Sequence, residues 1–227
     1  MMYLTEHRRD VLVNVFEGAL KKASLLLNDN IGFDGRVSLE APMAELVTPK
    51  DLARLYDVKL TRGILSGAEM NFSGPICGRA LLICKSSDSD LLVRLMFQAS
   101  PAELPQDLVA ESKTDALCEL GNVLLNACMV QFATLFGSDI RTQTPKPVLG
   151  HCGNIIHGGR SEAINRRMLY VPVILAKGNN ELRIGFVLDT ISVHALMICL
   201  DSFVDKDKYT AKQDRVEDQD ALSGLTQ

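Results

Sequence analysis

The stretch SKTDALCELGNVLLNACMVQFATLFG, Ser112 to Gly137, decides how the rest of this 227-residue chain is read. Ser112-Lys113-Thr114-Asp115 fits the [ST]xx[DE] capping box, with Ser112 as N-cap and Asp115 three residues inside. Gly137 suits the left-handed residue that ends a helix. The helix expected between these signals has about 24 residues and is about 36 Å long. At about 100° per residue, Leu117, Leu120, Leu124, Ala127 and Leu135 share one stripe, expected to be buried against a sheet or a partner helix. On the opposite side Asp115, Glu119, Asn122 and Asn126 stand within about 60° of one another. Met129 and Ala133 continue that line, and Leu125 flanks it. A carboxylate and a carboxamide then project together from a rigid scaffold, although a polar face opposite an apolar stripe is also what any surface helix shows. A polar row that runs on into small apolar side chains has the make-up of a docking surface. Gly121 lies at the flank of the core stripe, where glycine costs about 1 kcal/mol relative to alanine. Close packing against a neighbouring element would account for it, and so would access for a partner.

Outward from this helix, the chain repeats itself. At an offset of 105 residues Asp10 meets Asp115, Leu12 meets Leu117, Val15 meets Leu120 and Ala19 meets Leu124. Ile31-Gly32-Phe33-Asp34-Gly35-Arg36 then lies over Phe136-Gly137-Ser138-Asp139-Ile140-Arg141 without a gap, and Pro42 falls on Pro147. At an offset of 103, Ala80-Leu81-Leu82-Ile83-Cys84 lies over Arg183-Ile184-Gly185-Phe186-Val187, and the apolar segments 91–97 and 193–200 correspond. Each half reads as a long helix, an irregular segment, two strands and a short helix. The first half has its helix at 5–27 and strands at 63–72 and 76–84. The second has strands at 168–176 and 182–188, around Lys177-Gly178-Asn179-Asn180, which has hairpin-turn chemistry. Two such halves combine best as one continuous sheet carrying helices, related by a pseudo-twofold, in an α/β (α+β) class. A single domain over 1–204 is expected, with repeats at about 5–100 and 110–204. Residues 205–227 are polar and poor in apolar side chains, the composition of a mobile tail.

Composition excludes more than it selects. Nearly half the chain is hydrophobic (47%), enough for a sizeable core. A formal charge of -4 argues against nucleic acid and anionic membranes, which call for a basic footprint. No run of about eighteen uncharged apolar residues suggests a membrane span, and the N-terminal MMYLTEHRRD has no signal-peptide core. The cytoplasm is the default. The 6 cysteines form no CxxC pair and are expected as reduced, mostly buried thiols. His151-Cys152-Gly153-Asn154-Ile155-Ile156-His157 falls short of a zinc-site spacing and reads as a loop with incidental histidines. His7 and His194 have no nearby nucleophile, and no GxSxG, HExxH or Walker loop occurs. Arg79 and Arg183 are expected at sheet edges.

Asp115-x3-Glu119-x2-Asn122, followed after twenty-two residues by Pro145, resembles the signature of the CheC/CheX/FliY phosphatases. That pattern has an acidic or serine residue, glutamate, asparagine and a distant proline. The surrounding Asp115-Ala116-Leu117-Cys118-Glu119-Leu120-Gly121-Asn122-Val123 is similar to the family's helix in detail, and the doubled architecture over residues 5–204 resembles CheC and FliY. The resemblance is closest to CheC-like proteins. In the first repeat the motif positions read Asp10, Asn14 and Glu17, with amide and acid exchanged, and Glu40 stands in place of Pro145. That copy is expected to be inactive or kept for packing.

The resemblance implies a phosphatase for the aspartyl phosphate of a CheY-like response regulator. The phosphoryl-aspartate, its Mg²⁺ and a lysine belong to the partner's receiver domain, so no cofactor, nucleophile or metal of this chain's own is implied. Asn122 would orient the attacking water and Glu119 would pair with the receiver lysine. Asp115, Asn126 and Met129 would form partner contacts, Asp115 also supporting the helix N-terminus, and Gly121 and Pro145 would be structural. The alternatives are a non-catalytic binding module for a phosphorylated receiver, or a partner of a CheD-like deamidase.

Overall fold

The structure is a computed structural model describing residues 4–30, 39–40, 44–48, 63–89, 106–157, 167–175 and 181–203. The elements in chain order are α1 (Glu6–Asn30), β1 (Leu39–Glu40), β2 (Glu45–Val47), β3 (Ile64–Ser73), β4 (Gly78–Lys85), a 3₁₀ turn (Ser86–Asp88), α2 (Gln106–Phe136), β5 (Arg141–Thr142), β6 (Lys146–His151), α3 (Cys152–His157), β7 (Arg167–Leu175), β8 (Glu181–Leu188) and α4 (Thr190–Phe203). The expected tail at 205–227, the helix at 91–97 and the match at Pro42 lie outside the described residues.

All eight strands join one antiparallel sheet in the order β1-β7-β8-β4-β3-β5, with β2 also on β7 and β6 also on β3. The expected single sheet is therefore present, and the duplication is visible in its pairing. The hairpin β3–β4 answers the hairpin β7–β8, and β4 meets β8 at the centre, with Leu81 opposite Gly185 and Leu82 opposite Ile184. Each half also lends its short strands to the other: β5 and β6 pair with β3, and β1 and β2 pair with β7. Ala68↔Pro147 in one half corresponds to Tyr170↔Glu45 in the other, an offset of 102 residues. Pro147 thus answers Glu45, and the ungapped 105-residue alignment beyond the helices is out of register by three. The offset thus changes from 105 on the long helices to 102 on these paired strands.

The sheet is buried on both faces, which is why β4 reads as the unbroken run Ala80 to Cys84. Ala80, Leu82 and Cys84 face the large core with Met70, Phe72, Leu169, Val171, Ile184 and Phe186, beneath α1, α2 and α4. Leu81, Ile83, Leu65, Met168, Tyr170 and Val187 face a smaller core roofed by α3 through Cys152, Ile155 and Ile156. Arg79 and Arg183 sit on the central strands β4 and β8, not at the edges. Arg79 is retained there because its guanidinium binds Glu69 at 2.6 Å and donates to the carbonyls of Ile155 and Ile156, at the end of α3. A buried guanidinium is tolerated when it is paired in this way.

Local chemistry sets the helix ends. Thr5 Oγ1 accepts from the Arg8 amide at the start of α1, and Asp189 Oδ1 accepts from the Ser192 amide at the start of α4. α2 ends in a Schellman motif: Gly137 is at φ 59°, Ser138 N–H donates to Ala133 O, and Gly137 N–H donates to Thr134 O. Its beginning differs from the expectation. The helix already runs at Gln106, so Ser112 is not its N-cap and Asp115 does not lie in its first turn. The capping-box pattern is there, but Leu108-Val109-Ala110-Glu111 upstream is good helix-forming sequence and carries the helix past it.

Within Glu111–Phe136 the most apolar 18-residue window has a mean hydropathy of 1.4, so this helix is long and apolar enough to cross a membrane by composition. A share of 56% of its most apolar window is buried inside the fold, the pattern of a core helix.

Candidate functional site

One ridge of α2 faces outward. Asp115, Glu119 and Asn122 are exposed and Asn126 is half-buried, while Leu117, Leu120 and Leu124 are buried on the other side. Because the helix starts before Ser112, Glu111 also belongs to the exposed line, one turn ahead of Asp115. Sequence reasoning missed it by placing it outside the helix. The result is three carboxylates at successive turns, Glu111, Asp115 and Glu119, leading to the carboxamide of Asn122. Such a line favours approach of a cationic surface.

The ridge does not continue as expected. Met129 is only 3% exposed and belongs to the core. It offers a partner little, correcting its assignment as a contact residue. Ala133 is half-buried. The exposed line turns instead through Val130, 56% exposed, and Thr134, whose hydroxyl donates back to Val130 O. Asn126, Met129, Val130, Ala133 and Thr134 of α2, together with Ile140 and Thr142 of the returning segment, line one shallow groove of about 520 Å³. A single-helix projection cannot show this, because the covering chain comes from beyond the helix.

Gly121 and Pro145, far apart in sequence, converge on β3. A Cβ at Gly121 would stand 2.7 Å from the Cβ of Ala68, so α2 lies down on the sheet at this point. Ala68 is the register partner of Pro147 on β6, and buried Pro145 leads directly into β6. The loop before it is pinned to β3, since Gln143 N–H donates to Asn71 O and Asn71 Nδ2 donates to Gln143 Oε1, both at 3.0 Å. The residue following Gly121 is Asn122. Its backbone is therefore set against the sheet by the close approach of α2 to β3 at Gly121.

The carboxamide itself is held. Asn126 Nδ2 donates to Asn122 Oδ1 at 2.8 Å, an i,i+4 bond along the ridge. Nearby, burial first and the Asp115 carboxylate second push the Cys118 thiol up. Buried Cys128, behind the ridge, is pushed up to about 12 by burial. Neither is disposed to be a nucleophile at neutral pH. Among the described residues no group of three His, Cys, Asp or Glu side chains is placed to hold a metal.

Comparison of the whole chain with solved structures identifies its fold. Thermotoga maritima FliY superposes with a TM-score of 0.63 at 14% identity, covering 88% of this chain and 99% of that one. A chain of the CheX–CheY–BeF3–Mg²⁺ complex from Borrelia burgdorferi gives 0.50 at 14%, covering 78% and 99%. This is the CheC/CheX/FliY fold. The FliM middle domain of H. pylori shares it as well, with a TM-score of 0.58 at 6% identity over 86% of this chain and 99% of that one. No family model matches the sequence, and no curated protein matches it significantly. Within the CheC/CheX/FliY fold, the second-repeat motif residues stand on the long helix of the second half. Asp10, Asn14 and Glu17 stand exposed on the long helix of the first.

Proposed function

We propose that this chain is a cytoplasmic phosphatase that removes the phosphoryl group from an aspartate of a CheY-like response regulator in chemotaxis-type two-component signalling. The observation that carries the reading is the exposed pair Glu119 and Asn122, one turn apart on a ridge whose backbone is held by the Gly121–Ala68 contact. A neighbour of the same fold is a CheX in complex with CheY, BeF3 and Mg²⁺, which supports a receiver domain as the partner. In the reaction a water oxygen bonds to phosphorus while the bond from phosphorus to the aspartate carboxylate oxygen breaks. Inorganic phosphate leaves with the water's proton, and the carboxylate is regenerated. Mg²⁺ belongs to the receiver and offsets charge on the phosphoryl oxygens.

Asn122 supplies position. Its carboxamide has an acceptor for the water and donors for an oxygen, and no charge to repel phosphate. Its part parallels the glutamine that orients water in GTPases. Glu119 pairs with the receiver's lysine and sets the docking register, a charge-assisted contact of about 1.5–3 kcal/mol once desolvated.

The test is the phosphate-loss rate of a phosphorylated CheY-like receiver with and without the protein. Asn122→Ala is expected to return the rate to the receiver's own, and Glu119→Ala to weaken both docking and turnover, with thermal melts unchanged. Continued acceleration by the double variant would overturn the assignment. The FliM neighbour favours a second reading, a module that binds the receiver without hydrolysing it. Tight binding with no acceleration by the wild-type chain would establish that reading instead. A CheD-like partner is a further role of this proposal, tested by co-purification with such a deamidase.

A further inference from the structure

A lone asparagine on an exposed helical face swings among rotamers, and only some of them aim its carboxamide at a ligand. Asn122 is exposed, yet its Oδ1 accepts from Asn126 Nδ2 at 2.8 Å. Asn126 sits one turn further along the ridge and is half-buried, with Met129 and Val130 beside it in the same groove wall. Its packing restrains its own rotamer, so the bond restrains Asn122 rather than the two side chains drifting together. Accepting this bond turns the oxygen of Asn122 towards Asn126 and directs its NH2 away. Donation to a carboxamide oxygen also strengthens the same group as a donor.

Resting on the phosphatase reading above, we infer that Asn126 is a positioning residue that fixes which end of the Asn122 carboxamide meets the phosphoryl group. It was expected to touch the partner; the geometry gives it a partner on its own helix. The bond leaves Oδ1 one lone pair for a proton of the attacking water, and it leaves both amide hydrogens for the receiver's phosphoryl oxygen and the water oxygen. Preorganisation of this kind acts on turnover and not on docking, because it matters only where water and phosphorus must be in line.

The experiment uses the full chain and a CheY-like receiver phosphorylated with a small-molecule phosphodonor, and reads kcat and KM separately. Binding to the same receiver carrying beryllofluoride and Mg²⁺ is read alongside. Asn126→Leu keeps the branching and the number of side-chain heavy atoms and removes the donor. It is expected to lower kcat about tenfold, in line with one lost hydrogen bond, with KM and beryllofluoride binding essentially unchanged. Asn126→Asp replaces the donor by an acceptor, which draws the NH2 of Asn122 towards it and reverses the carboxamide. Its kcat is expected to be no better than that of Asn126→Leu, although a bond between the two side chains is restored. Asn126→Gln, which keeps the donor, is expected to recover part of the rate.

Wild-type kcat in Asn126→Leu, or full activity in Asn126→Asp, overturns the inference. So does a loss confined to KM and binding, which would make Asn126 a docking residue. If the wild-type chain accelerates nothing, the phosphatase reading itself has failed, an outcome distinct from all of these.

Discussion

The two long helices differ most at one equivalent position. At the 105-residue offset Gly121 of α2 answers Phe16 of α1. Gly121 lets α2 come down until a Cβ there would meet Ala68 of β3 at 2.7 Å, and α2 runs close along β3, β4 and β6. Phe16 fills the same place with a ring, fully buried, stacked on Phe186 with centroids 5.6 Å apart and edge-on to Phe132 at 5.6 Å. Among the described elements α1 rests mainly on α2 and β1. One helix is placed by close backbone approach and the other by aromatic bulk. The residue after each differs accordingly: Asn122 follows the close contact, and Glu17 follows the ring. A side chain that must enter another protein's site gains from a base tied to the sheet, so on the proposed phosphatase reading Asn122 and the glycine before it belong together.

The largest effect expected from this contrast is on turnover. Asn122→Ala should lower stimulated dephosphorylation about 100-fold or more. The matched change in the other half, Asn14→Ala with Glu17→Ala, should leave the rate within about twofold. Equal losses from the two halves would show that both ridges work and that the exchanged acid and amide are no handicap. Next in size is Phe16→Ala, expected to cost about 3–5 kcal/mol in urea unfolding, because it empties the centre of the Phe16, Phe132 and Phe186 cluster. A loss below about 1 kcal/mol would mean that α1 is not held by that ring.

Glycine-to-alanine changes sharpen the comparison further. Gly121→Ala gains about 1 kcal/mol of helix propensity, but overpacks the Ala68 contact at about 1–3 kcal/mol, so the urea midpoint should fall. Turnover should fall with it, since Asn122 is lifted off its base. Gly18 of α1 has room, with the nearest atom, of the Gln131 side chain, 3.8 Å from a Cβ. Gly18→Ala should therefore raise stability, by up to about 1 kcal/mol. A rise for both would remove the claim that close approach is what Gly121 is for.

Much of this was legible in the chain because it was written twice. The 3.6-residue stripe of Leu117, Leu120 and Leu124 and the apolar run from Ala80 to Cys84 announce a helix and a strand, and their repetition announces one continuous sheet, whereas burial of β4 on both faces and its central pairing with β8 needed coordinates. Gly137 gave the end of α2 through its turn chemistry alone. What eluded sequence reasoning depends on distant segments. The exchange of β1 and β2 for β5 and β6 between halves leaves no local mark, and the three-residue slip of register shows only once the strands are paired. Met129 lies on the polar side of a helical wheel yet is buried in the core. Arg79 reads as an edge residue until the carbonyls at the end of α3 are seen to receive it. Asn122 and Glu119 were singled out by the resemblance of their motif to the CheC/CheX/FliY signature, whereas the bond from Asn126 needed coordinates.

The smallest effect concerns the buried thiol behind the ridge. Cys128 of α2 answers Ala23 of α1, and both are fully buried. Burial pushes the Cys128 thiol from its ordinary 9.0 up to about 12. Unfolded chains therefore release this proton first as pH rises above 9, while the folded chain keeps it. The stability tied to the protonated thiol is complete below that range and is lost as pH climbs towards 12, at a slope of at most about 1.4 kcal/mol per pH unit. Cys84 on β4, also pushed up to about 12 by burial, adds a second such contribution. Cys128→Ala makes α2 match α1 at this position and should reduce the alkaline fall in the urea midpoint by about half. Adding Cys84→Ala should remove most of the remainder. An unchanged fall in the double variant would place the alkaline sensitivity on other groups and leave the two helices alike in this respect.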